Sequence, residues 1–468
     1  MPTPSPESRP ERQRWGLAAL LRRGLLATAS VAWAASANAW SGHTLCTWEA
    51  LAGLPVLAGK VVHAEPLERF VAAQAPQLER VLAEHEAWAR AHVPDYPPLP
   101  DELAFRAAAT GAAPSAHDRF VLALRMNPFA PRSLYLQLRP DAPDPPGGTL
   151  PITAVATLAA SMAARQHRYV SLADGELASA LDVVATAANE PDYGLDLGLY
   201  TDNGTAYGPR MGLGRQPYGN PALDYGSQAP LHMGFHHEAR IVNLAAGDLR
   251  RTMIDSRIAL FSALARHAFA SGHAYWGWRF TGWALHYVQD LTQPYHATAL
   301  PGVGLLRMLY MNLAALLGFE GPKNAAIALV SNRHLVLETY QHKRMLRAMA
   351  SRQGDDALLR ALRDTRGDAE HPRYEPASTR QVVSREAHAS AAGIDAQIER
   401  SFPPRFVDDP GVTLGVEAEL LEMEDIARQG SAAEHAALEQ LVAALLQRLG
   451  RHSRALVRAL APPGPGEP

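Results

Sequence analysis

Gly282-Trp-Ala-Leu-His286-Tyr-Val-Gln-Asp290-Leu-Thr-Gln-Pro294-Tyr-His296-Ala297 is the stretch on which the reading of this chain turns. His286 and Asp290 are four residues apart, so a helix sets both side chains on one face, as two ligands of one ion must be. Pro294 lacks an N–H and disfavours helical geometry in the residue before it, so the helix ends or kinks there. His296 can then point back toward the same pocket. An imidazole nitrogen and a carboxylate oxygen at this spacing suit zinc, and a second histidine past a turn can serve a neighbouring ion. A capped helix end with two partly exposed histidines would account for a bare HxxxD; HxxxDxxQPxH is more restrictive.

A second pair follows in Asn332-Arg-His334-Leu-Val-Leu-Glu338, again four apart on a helical pattern, and His342 continues that face. Alone it is weak evidence for metal. Beside the first motif, His296, His334 and Glu338 make the three protein ligands of an open zinc site with water in the fourth position.

Outward from these motifs the chain repeats Ala, Leu, Val and Met at i, i+3 and i+4 with charges between them, which predicts helices over 64–92, 152–188, 236–271, 274–291, 304–317, 323–350, 377–400, 413–427 and 432–461. The expected class is all-α, one mostly helical domain over 40–460 with a trinuclear zinc site and long irregular loops. Pro-rich stretches at 93–101 and 127–151 and a Gly-rich loop at 200–230 interrupt the pattern as excursions on one core. The Pro- and Gly-rich end, 461–468, reads as a disordered tail.

Composition narrows the classes. Hydrophobic residues at 47% and charged residues at 19% of 468 can bury a large core, which excludes disordered and collagen-like chains. The formal charge is −3; residues 1–39 carry five Arg and two Glu, so the remainder stands at −6, against a nucleic-acid-coating role. Cys46 is the only cysteine, which rules out an intrachain disulfide and a cysteine-built metal site and leaves metal binding to the 19 histidines and the carboxylates. Arg9, Arg12, Arg14, Arg22 and Arg23, the apolar run 24–37 and Ala37-Asn38-Ala39 read as a signal peptide over 1–39, with Trp40 as the mature N-terminus and a secreted or periplasmic product. Arg22-Arg23 leaves Sec and twin-arginine export both open.

With Trp40-Ser-Gly-His43 after that cleavage site, the HxxxDxxQPxH stretch and His334-Leu-Val-Leu-Glu338, the chain resembles the bacterial zinc-dependent phospholipases C and the single-strand-specific zinc nucleases of fungi and plants. The resemblance spans residues 40 to 338. It implies a helical domain with about three zinc ions, one bound by the mature N-terminal Trp through its own amine and carbonyl. It puts Trp40 and His43 on one ion, Asp290 between that ion and a second, and His296, His334 and Glu338 on the third. The second ion takes His286 and also an upstream Asp and His. Asp192 in Asn189-Glu-Pro-Asp192-Tyr193 is preferred, with Asp224 as its competitor; His232 is preferred over His236 and His237. Asp192 is also the general base that the resemblance implies.

Two substrates then compete. Ala297 after His296 and the apolar run from Leu300 to Phe319, with Arg307 as its only charge, favour a phospholipid or membrane surface. That run reads as a buried core helix or, alternatively, as a lipid-facing surface beside the pocket. A nuclease would call for basic and aromatic surface. The expectation is a monomeric zinc phosphodiesterase of the phospholipase C type, with a single-strand nuclease or a non-catalytic secreted zinc-binding protein as alternatives.

Overall fold

The computed structural model describes residues 40–108, 114–157, 166–221, 224–415, 418 and 420–462. The leader expected over 1–39 and nearly all of the tail expected over 461–468 lie outside the described residues. The helix that carries the first motif, Ala274–Leu291, is the axis of the fold, because every residue from Tyr275 to Leu291 is buried. A helix apolar on all sides has to lie inside a helical core. Each fully buried side chain along it, such as Phe280, Leu285 or Val288, contributes about 1.5–3 kcal/mol through burial.

The elements run α1 (His43–Leu51), α2 (Leu67–His92), α3 (Ala116–Ala123), α4 (Ala180–Ala187), α5 (Asp224–His232), α6 (Arg240–Ala245), α7 (Ile254–Ala270) and α8 (Ala274–Leu291). After the turn at Pro294 come α9 (Pro294–Ala297), α10 (Leu305–Leu316), α11 (Gly321–Ala350), α12 (Ala357–Arg363), α13 (Arg385–Ser401), α14 (Pro404–Val407), α15 (Met423–Arg428) and α16 (Ala432–Leu460). Short antiparallel ladders join β1 (Val61–His63) to β4 (Leu177–Ser179) and β2 (Tyr135–Gln137) to β3 (Tyr169–Ser171). The chain is mostly helical, with strand only in these ladders among the described residues.

Helix α8 packs against α7, α4 and α16, and one buried apolar cluster runs from Trp40 and Leu45 of the N-terminal segment to Leu460 at the end of α16. Gly282 allows α4 to approach, since a Cβ there would meet Ala187 Cβ at 2.5 Å and Val184 O at 2.6 Å. Ser179 caps α4 by accepting from Asp182 N.

Several expected helices are broken. The 152–188 segment holds a short 3-10 turn at Ile152–Ala154, then β3, β4 and only at its end α4; residues 158–165 lie outside the described residues. Its Ala- and Leu-rich periodicity is real, but Gly175 takes a left-handed φ of 79° and the flanking residues pair with remote strands. The 236–271 segment divides into α6, a 3-10 turn at Gly247–Arg250 and α7, the break falling at Gly247. Of 413–427 only α15 is α-helical among the described residues, and the Gly-rich 200–230 loop holds α5. The apolar run after Leu300 is not a buried core helix. In α10 only Met311 and Ala314 are buried, while Leu306 is 83% and Leu317, just past its end, 69% exposed. Amphipathic packing through a narrow stripe left the rest of this helix in solvent. No helix among the described residues is long and apolar enough to cross a membrane.

Candidate metal centre

His286 and Asp290 lie one turn apart at the C-terminal end of α8 and are fully buried. His286 Nδ1–H donates to Ala188 O at 2.7 Å, which leaves its Nε2 as a lone pair aimed inward. That Nε2 stands 3.3 Å from Asp290 Oδ2 and 3.0 Å from His232 Nδ1. The helix ends where the sequence requires. Gln293 Oε1 accepts from Tyr295 N at 2.7 Å, Pro294 occupies the first turn of α9, and His296 follows. His296 Nδ1–H donates to His232 O at 2.8 Å, so its Nε2 also faces inward; that nitrogen is buried and makes no hydrogen bond.

His232 arrives from α5. Pro230 inside that helix cannot donate to Gly226 O, and Gln216 Nε2 takes up that carbonyl at 2.7 Å. The His232 ring is held by Asp196 Oδ2 at Nε2, 3.1 Å away, so that Nδ1 meets Asp290 Oδ2 at 2.9 Å. His43 opens α1 directly after Gly42, which has a φ of 86° and leaves no room for a side chain, since a Cβ would lie 2.7 Å from His342 Nδ1. His43 Nδ1 faces Gln289 Oε1 at 2.8 Å, and Nε2 faces Asp290 Oδ1 at 3.2 Å.

All four imidazoles therefore follow one rule. One ring nitrogen is tied to an acceptor outside the cluster, and the other is presented to its centre, which is how protein scaffolds fix the tautomer of metal-ligating histidines. Asp192 completes the group from the 3-10 turn Pro191–Tyr193, with carboxylate oxygens 3.8 Å from His43 Nε2, His232 Nδ1 and His286 Nε2. Its side chain is 11% exposed, whereas His43, His232, His286 and Asp290 have none.

On α11 the second pair meets at 2.6 Å between His334 Nε2 and Glu338 Oε1, and the His334 ring lies across that of His296 with centroids 5.1 Å apart. Tyr295 stacks on His334 and donates its hydroxyl to Asp395. Three groups result, His43–His286–Asp290, Asp192–His232–His286 and His296–His334–Glu338, with ligand atoms within 4.8 Å of one another in each. These buried imidazole nitrogens and carboxylates are groups that could hold metal ions.

Trp40 is fully buried, and its indole Nε1 donates to Thr292 Oγ1 at 3.0 Å, two residues past Asp290. His342 Nδ1–H holds Ser41 O at 2.9 Å and so fastens this segment to α11. The competing residues fall elsewhere. Asp224 is exposed at the opposite end of α5 from His232. His236 faces Asp255, itself paired with Arg380, and His237 Nε2–H donates to Arg380 O.

The charges push on one another. Burial drives the Asp192 carboxyl up to about 7, with Asp290 and Asp196 adding to the rise and His43 and His232 opposing it. Burial also works against ionisation of Asp290, yet His286 and His232 hold it well below the usual carboxylate range. Burial disfavours charge on His232, but hydrogen bonds to Asp196 and Asp290 push it up to about 10. Burial pushes His296 down to about 4.

Sequence reasoning missed the residues that orient the ligands. Asp196 accepts from Arg257 at 2.6 Å and from the Tyr287 hydroxyl at 2.6 Å while it holds His232. Gln289 donates from Nε2 to Thr47 Oγ1 and Ser453 Oγ while it faces His43. The one local hint was that Asp196 follows Asp192 by four residues.

Comparison of the chain with family models, with curated proteins and with solved structures returns no match.

Proposed function

We propose that the mature chain is an exported zinc-dependent phosphodiester hydrolase with about three zinc ions, acting as a phospholipase C that cleaves phospholipid to diacylglycerol and a phosphorylated headgroup. The observation that carries this reading is the orientation of the buried imidazoles: His43, His232 and His286 each present one ring nitrogen to Asp290, and His296 turns its free nitrogen to a group with His334 and Glu338. Magnesium and calcium take oxygen ligands, so this histidine-rich donor set suits zinc better. His296, His334 and Glu338 would hold one ion, and Asp192, His232, His286 and Asp290 a second. His43 and Asp290, with the amine and carbonyl of Trp40, would hold the third.

Bound there, such ions neutralise a phosphodiester, polarise its phosphorus and acidify water so that hydroxide is available near neutral pH. The chain supplies the rest. Asp192, more exposed than its buried neighbours, is the group placed to accept the proton of an attacking water. Asp196 and Gln289 keep His232 and His43 in the tautomers that binding needs. The negative formal charge works against a polyanionic nucleic acid, and the apolar α10 between His296 and His334 favours lipid.

The test is hydrolysis of phosphatidylcholine and of single-stranded DNA by the purified mature protein, side by side. The reading predicts release of phosphorylated headgroup, lost on chelation and restored by zinc. Faster cleavage of DNA would make the chain a nuclease with the same ligands, and cleavage of neither would leave a zinc-binding protein. A form that retains a few residues before Trp40 has an amide in place of the amine, so it should lose one ion and most activity while it stays folded. Full activity with an upstream N-terminus, established by sequencing, would remove Trp40 from the ligand set.

A further inference from the structure

Among the described residues, nine of the fourteen exposed large apolar side chains lie in two short segments, 241–244 and 305–319. Solvent-exposed apolar residues scattered singly need no explanation, but a contiguous patch of them does. Leu306, Tyr310, Leu313 and Leu317, spaced four, three and four apart, form one face of α10 and its C-terminal turn and are 83%, 61%, 58% and 69% exposed. Phe319 extends the face at 69% exposure. Helix α6 packs beside α10 and adds Ile241 and Leu244.

This patch is joined to the metal centre. Beneath it, Met308 of α10 and Val242 of α6 share a small core with Met233, which follows His232, and with Ala299, three residues past His296. Helix α10 is itself the excursion of the chain between His296 and His334, two members of one ligand group.

The charge of the patch selects its occupant. Segments 239–246 and 301–319 hold Arg240 and Arg307 and no carboxylate, in a chain whose formal charge is −3. An apolar face of Leu, Tyr and Phe that carries Arg240 and Arg307, with one exposed carboxylate, Glu320, at its end, complements a layer of acyl chains beneath phosphates, with the guanidiniums reaching back to the phosphate plane. At 12 residues α10 is too short to cross a bilayer and fits a helix lying in the interface.

We propose that α10 and α6 form a membrane-docking surface that seats the metal centre on a phospholipid bilayer. This rests on the phospholipid reading of the site and assigns it a surface of approach.

The test is brief co-sedimentation of the mature zinc-loaded protein with phosphatidylcholine vesicles, with and without an added anionic phospholipid. It compares wild type with the triple variant Leu306→Ser, Leu313→Ser, Leu317→Ser. These side chains are exposed, so the fold and the hydrolysis of a short soluble phosphodiester should be retained. The vesicle-bound fraction and vesicle hydrolysis should fall at least about tenfold. In a second measurement, Tyr310→Trp should shift its emission to the blue when vesicles are added. If wild type and triple variant hydrolyse the soluble phosphodiester but neither binds vesicles, the docking surface is refuted while the hydrolase reading stands. If neither hydrolyses any phosphodiester yet only wild type binds vesicles, the docking surface stands and the hydrolase reading falls. If wild type is a dimer that the triple variant dissolves, and vesicles bind neither, the face joins two copies of the chain and the proposal is overturned.

Discussion

The two ends of α8 bury comparable amounts of charge and treat it in opposite ways. Toward the N-terminal end Arg279 pairs with Glu190, donates to the Tyr275 hydroxyl at 2.8 Å and lies beside the Tyr135 and Trp276 rings, while Trp283 Nε1 donates to the other Glu190 oxygen at 2.6 Å. Both Glu190 oxygens are taken up there, so the carboxylate is closed off, although Arg279 Nε makes no hydrogen bond. At the C-terminal end His286 and Asp290 face His43, His232 and Asp192, where the imidazoles are tied outward and the inward atoms converge on one another. Two consecutive turns of chain serve both ends, since Glu190 and Asp192 are two residues apart. Buried polar groups are costly unless partnered. A network that closes on itself is structure, and one whose lone pairs converge on a shared centre is built for a ligand.

This contrast predicts different consequences for similar substitutions. The largest stability effect is expected at the closed end. Arg279→Met leaves Glu190 buried without its cation and should cost about 3–5 kcal/mol in denaturant unfolding, while protein that still folds keeps its metal content. Loss of metal with unchanged stability would mean that the two ends are one network.

A smaller effect, confined to the other end, is expected from Asp196→Asn. The amide cannot hold His232 Nε2–H and pair with Arg257 as the carboxylate does, so metal affinity should fall by about 10- to 100-fold in a chelator competition titration. Unchanged affinity would show that His232 needs no such orientation.

The effect of pH is the smallest per unit step. His232 binds its proton more tightly in the folded, metal-free chain than its ordinary value of 6.5, with a folded value of about 10. The raised value stabilises the metal-free fold below 6.5, and this contribution is lost as pH rises through 10. Asp192, raised to about 7, acts in the same direction only below 7, and His296, lowered to about 4, acts oppositely only between 4 and 6.5. From pH 7 to 10 the metal-free protein should therefore lose up to about 1.4 kcal/mol per pH unit. With metal loaded, His232 is unprotonated and the slope between pH 7 and 9 should disappear, leaving above pH 9 only the part that the buried Cys46 thiol, also raised by burial, contributes. Identical slopes with and without metal would place the proton elsewhere.

How much of this was legible depends on how local each cause is. The helix Ala274–Leu291, the pairs His286/Asp290 and His334/Glu338, and the turn that returns His296 follow from spacings of four and one proline, all within a few residues. The segment 152–188 was misread because Gly175 and pairing with distant β1 and β2 override an Ala-rich helical period. Helix α10 was legible as a helix, but its exposure was not, since a run of leucines reads alike in a core and on a surface. Asp196 beside His232 and Gln289 beside His43 stand 36 and 246 residues from the rings they hold. Beyond the spacing of four between Asp192 and Asp196, no local pattern marks such partners.

The central claim is that the converging atoms at the C-terminal end of α8 hold metal, and elemental analysis of the purified mature protein tests it most directly. The account predicts close to three zinc ions per chain, with removal by a chelator abolishing activity and lowering the melting temperature because the ions bind only the folded chain. Active, fully folded protein that contains no zinc or other transition metal would contradict it.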